Sequence, residues 1–110
     1  MNIRHGDMAL IGIAALPEHL NLQSSETTVL LTGSGGNPHA IKTGSGVFYP
    51  HTSGQIVGYL TAKDGCILLH KDHGMLVENS ELREALIPAG VYEVHCQVED
   101  THEGMRVVED

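Results

Sequence analysis

The chain has 110 residues, with 14 acidic and 6 basic side chains and a formal net charge of −8 at pH 7. This length fits one domain with one core, and a hydrophobic content of 41% with one Phe and no Trp predicts a mostly aliphatic core. Because the acidic balance repels nucleic-acid phosphates and anionic membrane surfaces, we expect neither nucleic acid nor a membrane as a partner.

The N-terminal residues and the cysteines bear on the compartment. Residues 1–7 lack the basic region and apolar core of a signal peptide, and no apolar run approaches the ~20 residues of a membrane span. We therefore expect a cytoplasmic protein that is not secreted by a signal peptide. Cys66 and Cys96 each lie in an apolar, strand-like run, which favours two reduced thiols over a disulfide.

The first half of the chain predicts a series of short strands. Residues 8–14 and 27–32 are apolar or β-branched runs typical of strands. Residues 33–38 contain three glycines and a proline, which predicts a loop. Residues 39–42 and 47–49 are extended patterns separated by Gly-Ser-Gly, which is the sequence form of a β-hairpin.

The second half continues in the same way. Residues 50–54 predict a break, and residues 55–61 and 65–70 predict two antiparallel strands joined by a Lys-Asp-Gly turn. Residues 75–78 predict a short strand. Residues 79–86 either turn the chain or form a one-turn helix, and the pattern leaves both open.

The clearest strand pattern covers residues 91–99, where apolar and polar side chains alternate from Tyr92 to Glu99. A turn over residues 100–104 and a terminal strand over residues 105–108 follow. About eight to ten strands and no amphipathic helix predict an all-β fold, a single-domain antiparallel barrel or sandwich over residues 1–110.

Four of the eight histidines are candidate metal ligands: His39, His70, His73 and His95. His70 lies at the end of the apolar strand pattern over residues 65–70, and His73 follows shortly after it. His39 follows the glycine-rich loop. His95 lies on the polar face of the strand predicted over residues 91–99. Imidazole binds divalent transition metals, so convergence of these strands predicts one Zn, Ni or Fe ion. Alternatively, the histidines are scattered by composition and have only structural roles.

Neighbouring residues allow further alternatives. Glu93 and Glu99 share a face with His95, as candidate carboxylate partners or as part of a solvated strand face. The glycine-rich loop has no following Lys-Ser/Thr and no helix to receive an anion, which argues against a nucleotide site. No nucleophile-elbow pattern supports hydrolysis.

Several short segments together resemble a group of small all-β proteins of unknown function from phages and bacteria. The segments are Arg4-His5-Gly6-Asp7, Pro38-His39-Ala40-Ile41, the His70 and His73 pair, Gly90-Val91-Tyr92 and Gln97-Val98-Glu99. The resemblance implies His39, His70 and His73 as the matching histidines, and Asn37 stands where that group has a further histidine. The histidine pattern is also similar to that of metal-binding cupins, which implies a cupin-like or jelly-roll fold.

Two functions follow as expectations. The first is a non-enzymatic, cupin-like binding module that holds a divalent metal or a small polar ligand through His39, His70, His73 and His95. The alternative is a structural protein of a phage particle, a decoration or adaptor subunit located in the virion or the host cytoplasm, with capsid proteins as partners. A cupin-type isomerase or dioxygenase ranks third because no substrate pocket is evident. Short exposed strand edges favour a homo-oligomer.

Overall fold

The computed structural model describes residues 2–25, 28–32, 38–42, 44–71, 74–76, 82–96, 98–101 and 104–107. These residues form twelve strands and one 3-10 turn, Glu18–Leu20. The strands are β1 (Asn2–His5), β2 (Met8–Ile13), β3 (Val29–Thr32), β4 (Pro38–Ile41), β5 (Val47–Ser53), β6 (Ile56–Ala62), β7 (Cys66–His70), β8 (Met75–Leu76), β9 (Arg83–Ile87), β10 (Gly90–Cys96), β11 (Val98–Thr101) and β12 (Gly104–Val107).

Ten of these strands form two five-stranded antiparallel sheets. The first sheet has the order β1-β2-β10-β6-β5, and the second has the order β3-β4-β7-β9-β8. Over the described residues, β11 and β12 pair only with each other and form a separate two-stranded sheet. The predicted all-β fold is confirmed. Of its two alternatives the structure has the sandwich, because the described strands do not close into a barrel.

The core lies between the two five-stranded sheets. Leu10, Leu60 and Val94 of the first sheet are fully buried, and Leu68 of the second sheet is fully buried in the same cluster. Side chains of a strand point alternately to its two faces, so each sheet places one set of apolar residues inward. The alternation predicted for residues 91–99 is confirmed within β10.

The single Phe of the chain packs over a glycine in the core. A Cβ added to Gly58 in β6 would lie 2.5 Å from Cε1 of Phe48 and 2.6 Å from the carbonyl oxygen of Tyr49. Both contacts are far shorter than van der Waals separations. Only glycine leaves room here for the aromatic ring of the neighbouring strand.

Both predicted hairpins are wrong. Residues 39–42 and 47–49 belong mainly to β4 and β5, which lie in different sheets: β4 pairs with β3 and β7, whereas β5 pairs with β6. Residues 55–61 and 65–70 likewise form β6 and β7 in different sheets. The turn before β7 exists, with φ of 96° at Gly65. The chain uses it to cross between sheets rather than to return alongside β6.

The other differences concern strand ends. The predicted break at residues 50–54 is wrong, because β5 continues to Ser53 and an edge strand tolerates Pro50. The loop predicted for residues 33–38 lies outside the described residues except for Pro38, which begins β4. The helix considered for residues 79–86 is wrong over its described part, where β9 forms.

Over their described residues, the strands predicted at residues 8–14, 27–32 and 105–108 are confirmed, as β2, β3 and β12. β1 was not predicted, and the twelve described strands exceed the expected eight to ten because β1, β9 and β11 are added. Nowhere in the described part of the chain is there a helix long and apolar enough to cross a membrane.

Candidate functional site

A two-residue turn between β1 and β2 brings two polar side chains into the sandwich. His5 pairs with Met8 at the end of the ladder, so Gly6 and Asp7 form the turn. Gly6 has φ of 64°, the conformation that the first central position of a hairpin turn requires of glycine. His5 is 5% exposed and Asp7 is 0% exposed. The turn therefore directs a histidine and a carboxylate into the protein interior.

The second sheet supplies two more buried polar residues. Ala40 of β4 lies opposite Leu69 of β7, and one step further along this antiparallel register His39 faces His70. The centroids of the two imidazole rings are 4.3 Å apart. Neither side chain is exposed. Both histidines lie on the inward face that Ile41 and Leu68 also occupy.

The four side chains meet and form the His–Asp cluster, defined as His5, Asp7, His39 and His70. Nδ1 of His39 lies 2.8 Å from Nδ1 of His5, and Nε2 of His39 lies 2.6 Å from Oδ1 of Asp7. The His5 ring is edge-on to both other rings, with centroid distances of 4.9 Å to His39 and 5.6 Å to His70. The end of β1 and the β1–β2 turn of the first sheet thus meet β4 and β7 of the second sheet at the cluster.

The hydrogen bonds assign proton positions within the cluster. An ionised carboxylate only accepts hydrogen bonds, so His39 donates from Nε2 to Asp7. A neutral His39 then accepts at Nδ1, and His5 donates to it from its own Nδ1. This tautomer puts a lone pair on Nε2 of His5. The cluster therefore combines a carboxylate with imidazole nitrogens that are able to act as electron-pair donors.

Cys96 lies beside the cluster. It faces Met8 in the ladder between β10 and β2. Met8 directly follows Asp7 in the chain. Burial raises the pKa of the Cys96 thiol, and the negative charge of Asp7 raises it further. Cys66 and Cys96 are not joined in a disulfide.

The structure brings together two of the four predicted ligands, His39 and His70. His73 lies outside the described residues. His95 lies on the opposite face of β10 from Val94, and its Nε2 is 3.2 Å from Oε1 of Glu93. The predicted pairing of His95 with a glutamate is thus present, on the outer face of the first sheet. The side chain of Glu99 is not among the described ones.

His5 and Asp7 were not among the predicted site residues. The signal for them was the order His-Gly-Asp immediately before the apolar run of β2. A glycine between two polar residues at a strand boundary indicates a hairpin turn. Their inward direction was not readable, because turn residues usually point to solvent.

The hydrogen bonds of the cluster hold its side chains in an arrangement that differs from that of a metal site. Among the residues that the structure describes, no group of three or more His, Cys, Asp or Glu side chains has the arrangement of a ready metal site. The separation of 2.8 Å between the Nδ1 atoms of His5 and His39 is shorter than the ~3.3 Å expected between two tetrahedral zinc ligands. A metal ion would require these two rings to move apart.

Fold and site together define an antiparallel β-sandwich with a buried His–Asp cluster at one end. Residues 4–97 match the Domain of unknown function (DUF8820), and the chain belongs to this family. The match includes all four residues of the cluster. No curated protein and no solved structure matches the chain.

Proposed function

We propose that the protein is a non-enzymatic binding module that holds one divalent transition-metal ion at the His–Asp cluster. The observation that carries this proposal is the convergence of three imidazoles and one carboxylate, all at most 5% exposed, from both sheets of the sandwich. The proposed ligands are His5, His39 and His70, and Asp7 accepts the Nε2–H of His39 and so orients its ring. The set keeps His39 and His70 from the sequence prediction and adds His5, with Asp7 as the carboxylate partner of His39.

Burial of so many polar groups needs compensation. Removing a carboxylate from water costs several kcal/mol unless a partner offsets it, and each buried imidazole adds a smaller penalty. The hydrogen bonds from His39 to Asp7 and between the two Nδ1 atoms provide part of this compensation. A bound cation would provide more, because it attracts the carboxylate and the nitrogen lone pairs at once.

The donor set favours transition metals over Mg²⁺ or Ca²⁺. Three imidazole nitrogen donors suit Zn²⁺, Ni²⁺ or Fe²⁺, whereas Mg²⁺ and Ca²⁺ take oxygen ligands. Binding would replace the proton between His5 and His39 and open their Nδ1 separation by about 0.5 Å. Such an opening is within reach of side-chain rotations at the end of a sheet.

The burial also supports a holding role rather than catalysis. His39, His70 and Asp7 have no exposed surface, and a catalytic metal needs an open coordination position that a substrate reaches. A metal at this position would connect the β1–β2 turn to β4 and β7. It would therefore stabilise the contact between the two sheets.

The test is metal content after purification without an affinity tag or chelator, measured by elemental analysis. We expect close to one equivalent of metal per chain, or uptake of one equivalent of Zn²⁺ by protein stripped with EDTA. Since the ion binds only the folded state, saturation at 100 times the dissociation constant should stabilise the protein by about 2.7 kcal/mol. Thermal denaturation with and without Zn²⁺ reports this.

Matched variants separate ligands from bystanders. His39→Gln and His70→Gln should each weaken Zn²⁺ binding at least 10-fold, which is the scale of losing a ligand or its support. His19→Ala, in the exposed 3-10 turn, should leave binding unchanged, and so should His95→Ala. Folded wild-type protein that takes up no Zn²⁺, Ni²⁺ or Fe²⁺ would refute the proposal. Unchanged Zn²⁺ affinity in both His39→Gln and His70→Gln would show that the metal binds outside the His–Asp cluster.

The second candidate function is a structural subunit of a phage particle, as the sequence resemblance implies. One observation favours an assembling subunit: the apolar side chains of Met75, Leu76 and Leu86 are more than 70% exposed. The test is co-sedimentation of the purified protein with phage capsid shells. Recovery only in the supernatant would reject this candidate.

A further inference from the structure

The outer face of the second sheet is unusually apolar. The ladders place Ile67 of β7 opposite Leu86 of β9, and Leu69 of β7 opposite Glu84. Ala40 of β4 faces Leu69 from the other side. These residues point away from the core, because Cys66, Leu68 and His70 are the buried set of β7. β7 is therefore apolar on both faces, whereas a sheet with one face in water normally alternates.

Exposed side chains extend this face to the sheet edge. Leu86 is 80% exposed, and Met75, which faces Glu84 from β8, is 77% exposed. A groove of about 400 Å³ runs along this edge. It is lined by Gly74, Met75, Leu76, Glu84, Ala85 and Leu86. Contiguous exposed apolar surface of this kind marks interaction sites.

The outer face of the first sheet differs. There Glu93 and His95 hydrogen-bond to each other, and His51 lies against the ring of Tyr59. Ile11 and Ile13 of β2 share this outer face with them, so it mixes polar, aromatic and apolar groups. The apolar outer face is defined as Ala40, Ile67, Leu69, Met75 and Leu86 of the second sheet.

Charge identifies the partner. Among the described residues, Lys42 and Glu84 place a charge of each sign on this face, with their charged atoms 3.5 Å apart. Lys42 donates its backbone N–H to Ile67, so both charged residues lie within the apolar rows. A face that carries charges of both signs is complementary to itself under a two-fold rotation. Elsewhere the net charge of −8 opposes association of two copies.

We propose that the apolar outer face binds a second copy of the chain in a two-fold symmetric dimer. Leu86 and Met75 of each copy pack on Ile67 and Leu69 of the other, and Lys42 of each copy lies near Glu84 of the other. Packing of two such sheets face to face buries apolar rows that water otherwise covers. The dimer does not depend on the His–Asp cluster, which is buried on the inner side of the same sheet.

The first test is oligomeric state, measured by light scattering with size-exclusion chromatography in the presence of EDTA. Wild type should be a dimer at about 100 μM, a concentration that populates even a weak complex. Leu86→Glu should raise the dimer dissociation constant about 30-fold or more, as loss of a central apolar contact does. Val47→Glu changes a similarly apolar but 40% exposed residue of the first sheet and should leave the dimer intact.

A charge exchange tests the pairing between copies. Lys42→Glu and Glu84→Lys each place like charges across the two-fold axis, so each variant alone should be monomeric. An equimolar mixture restores opposite charges and should form a one-to-one heterodimer. Monomeric wild type, or dimers that resist Leu86→Glu but dissociate with Val47→Glu, would overturn the proposal. Circular dichroism of each variant confirms that its fold is retained.

Discussion

Nε2 of His39 lies 2.6 Å from Oδ1 of Asp7, and both side chains are completely buried although 32 residues separate them in the chain. Asp7 belongs to the turn of the first sheet and His39 to β4 of the second. A short hydrogen bond between a carboxylate and an imidazole is charge-assisted and stronger than a neutral one. This bond therefore joins the two sheets at a point where apolar packing is interrupted.

Asp7→Ala removes the acceptor of this bond. We expect the free energy of unfolding to fall by about 1–3 kcal/mol, because a buried donor loses its partner. Asp7→Asn keeps a carbonyl oxygen at the same position and should recover part of the loss. Urea denaturation in EDTA measures both values. Asp64→Ala, at an exposed turn, is the control, and a loss at Asp7 no larger than at Asp64 would contradict the structural role of the bond.

Gly58→Ala tests the contact between the strands β5 and β6. The new Cβ would meet the Phe48 ring at 2.5 Å, so the ring or the backbone must shift. Overpacking of this kind costs about 1–3 kcal/mol, which thermal or urea denaturation would show. Gly90→Ala is a matched control, since its Cβ comes no closer than 3.3 Å to another atom. Equal stability of the two variants would show that the Phe48 ring adjusts freely.

Tyr92→Phe removes one hydrogen bond without changing the packing of the ring. The Tyr92 hydroxyl donates to the carbonyl oxygen of Pro88 at 2.6 Å, while the ring is 3% exposed in the core. We expect a loss of about 0.5–1.5 kcal/mol in the free energy of unfolding. Tyr49→Phe, on the other face of β5 from Phe48, serves as control. A Tyr92 variant as stable as wild type would mean that water replaces the bond without cost.

Cys66 makes stability depend on alkaline pH. Burial raises the pKa of the Cys66 thiol, and a hydrogen bond with Ser45 opposes this in part. Because the folded-state pKa exceeds the unfolded one, the stabilising contribution is complete below the ordinary thiol pKa of about 8.5 and is lost as pH rises above it. Cys66→Ala should therefore reduce the slope of unfolding free energy against pH by up to ~1.4 kcal/mol per unit.

The control for this titration keeps the thiol and changes its neighbour. Ser45→Ala removes the hydrogen bond but leaves Cys66 able to ionise, so the steep alkaline slope should persist. Denaturation curves between about pH 7.5 and 10.5 cover the range in which thiols ionise. A slope identical in Cys66→Ala and wild type would assign the alkaline loss to other groups, such as Tyr59, whose pKa is also raised by burial.

Local patterns were readable from the sequence where one face of a strand is buried. In β10, Tyr92 and Val94 alternate with Glu93 and His95, and the structure keeps that division. Strand pairing was less readable. The Asp64-Gly65 turn has the residues of a tight hairpin, yet turn chemistry sets only the local bend. Whether β7 stays beside β6 or crosses to the other sheet depends on distant partners, here β4 and β9.

The site shows the same limit. His39 and His70 share a register that no local pattern encodes, because β4 and β7 are far apart in sequence. His5 and Asp7 join them only because the sandwich folds the β1–β2 turn against the second sheet. The histidines are visible in the sequence, but the order of the strands in the two sheets decides which of them lie close together.

The isolated hairpin of β11 and β12 makes the C-terminal part of the fold modular. Both five-stranded sheets are complete at Cys96, and the match to the family ends at residue 97. Every described ladder that holds the His–Asp cluster thus forms without the hairpin. We therefore expect the backbone ladders around the cluster to form also when a reporter protein replaces residues 98–110.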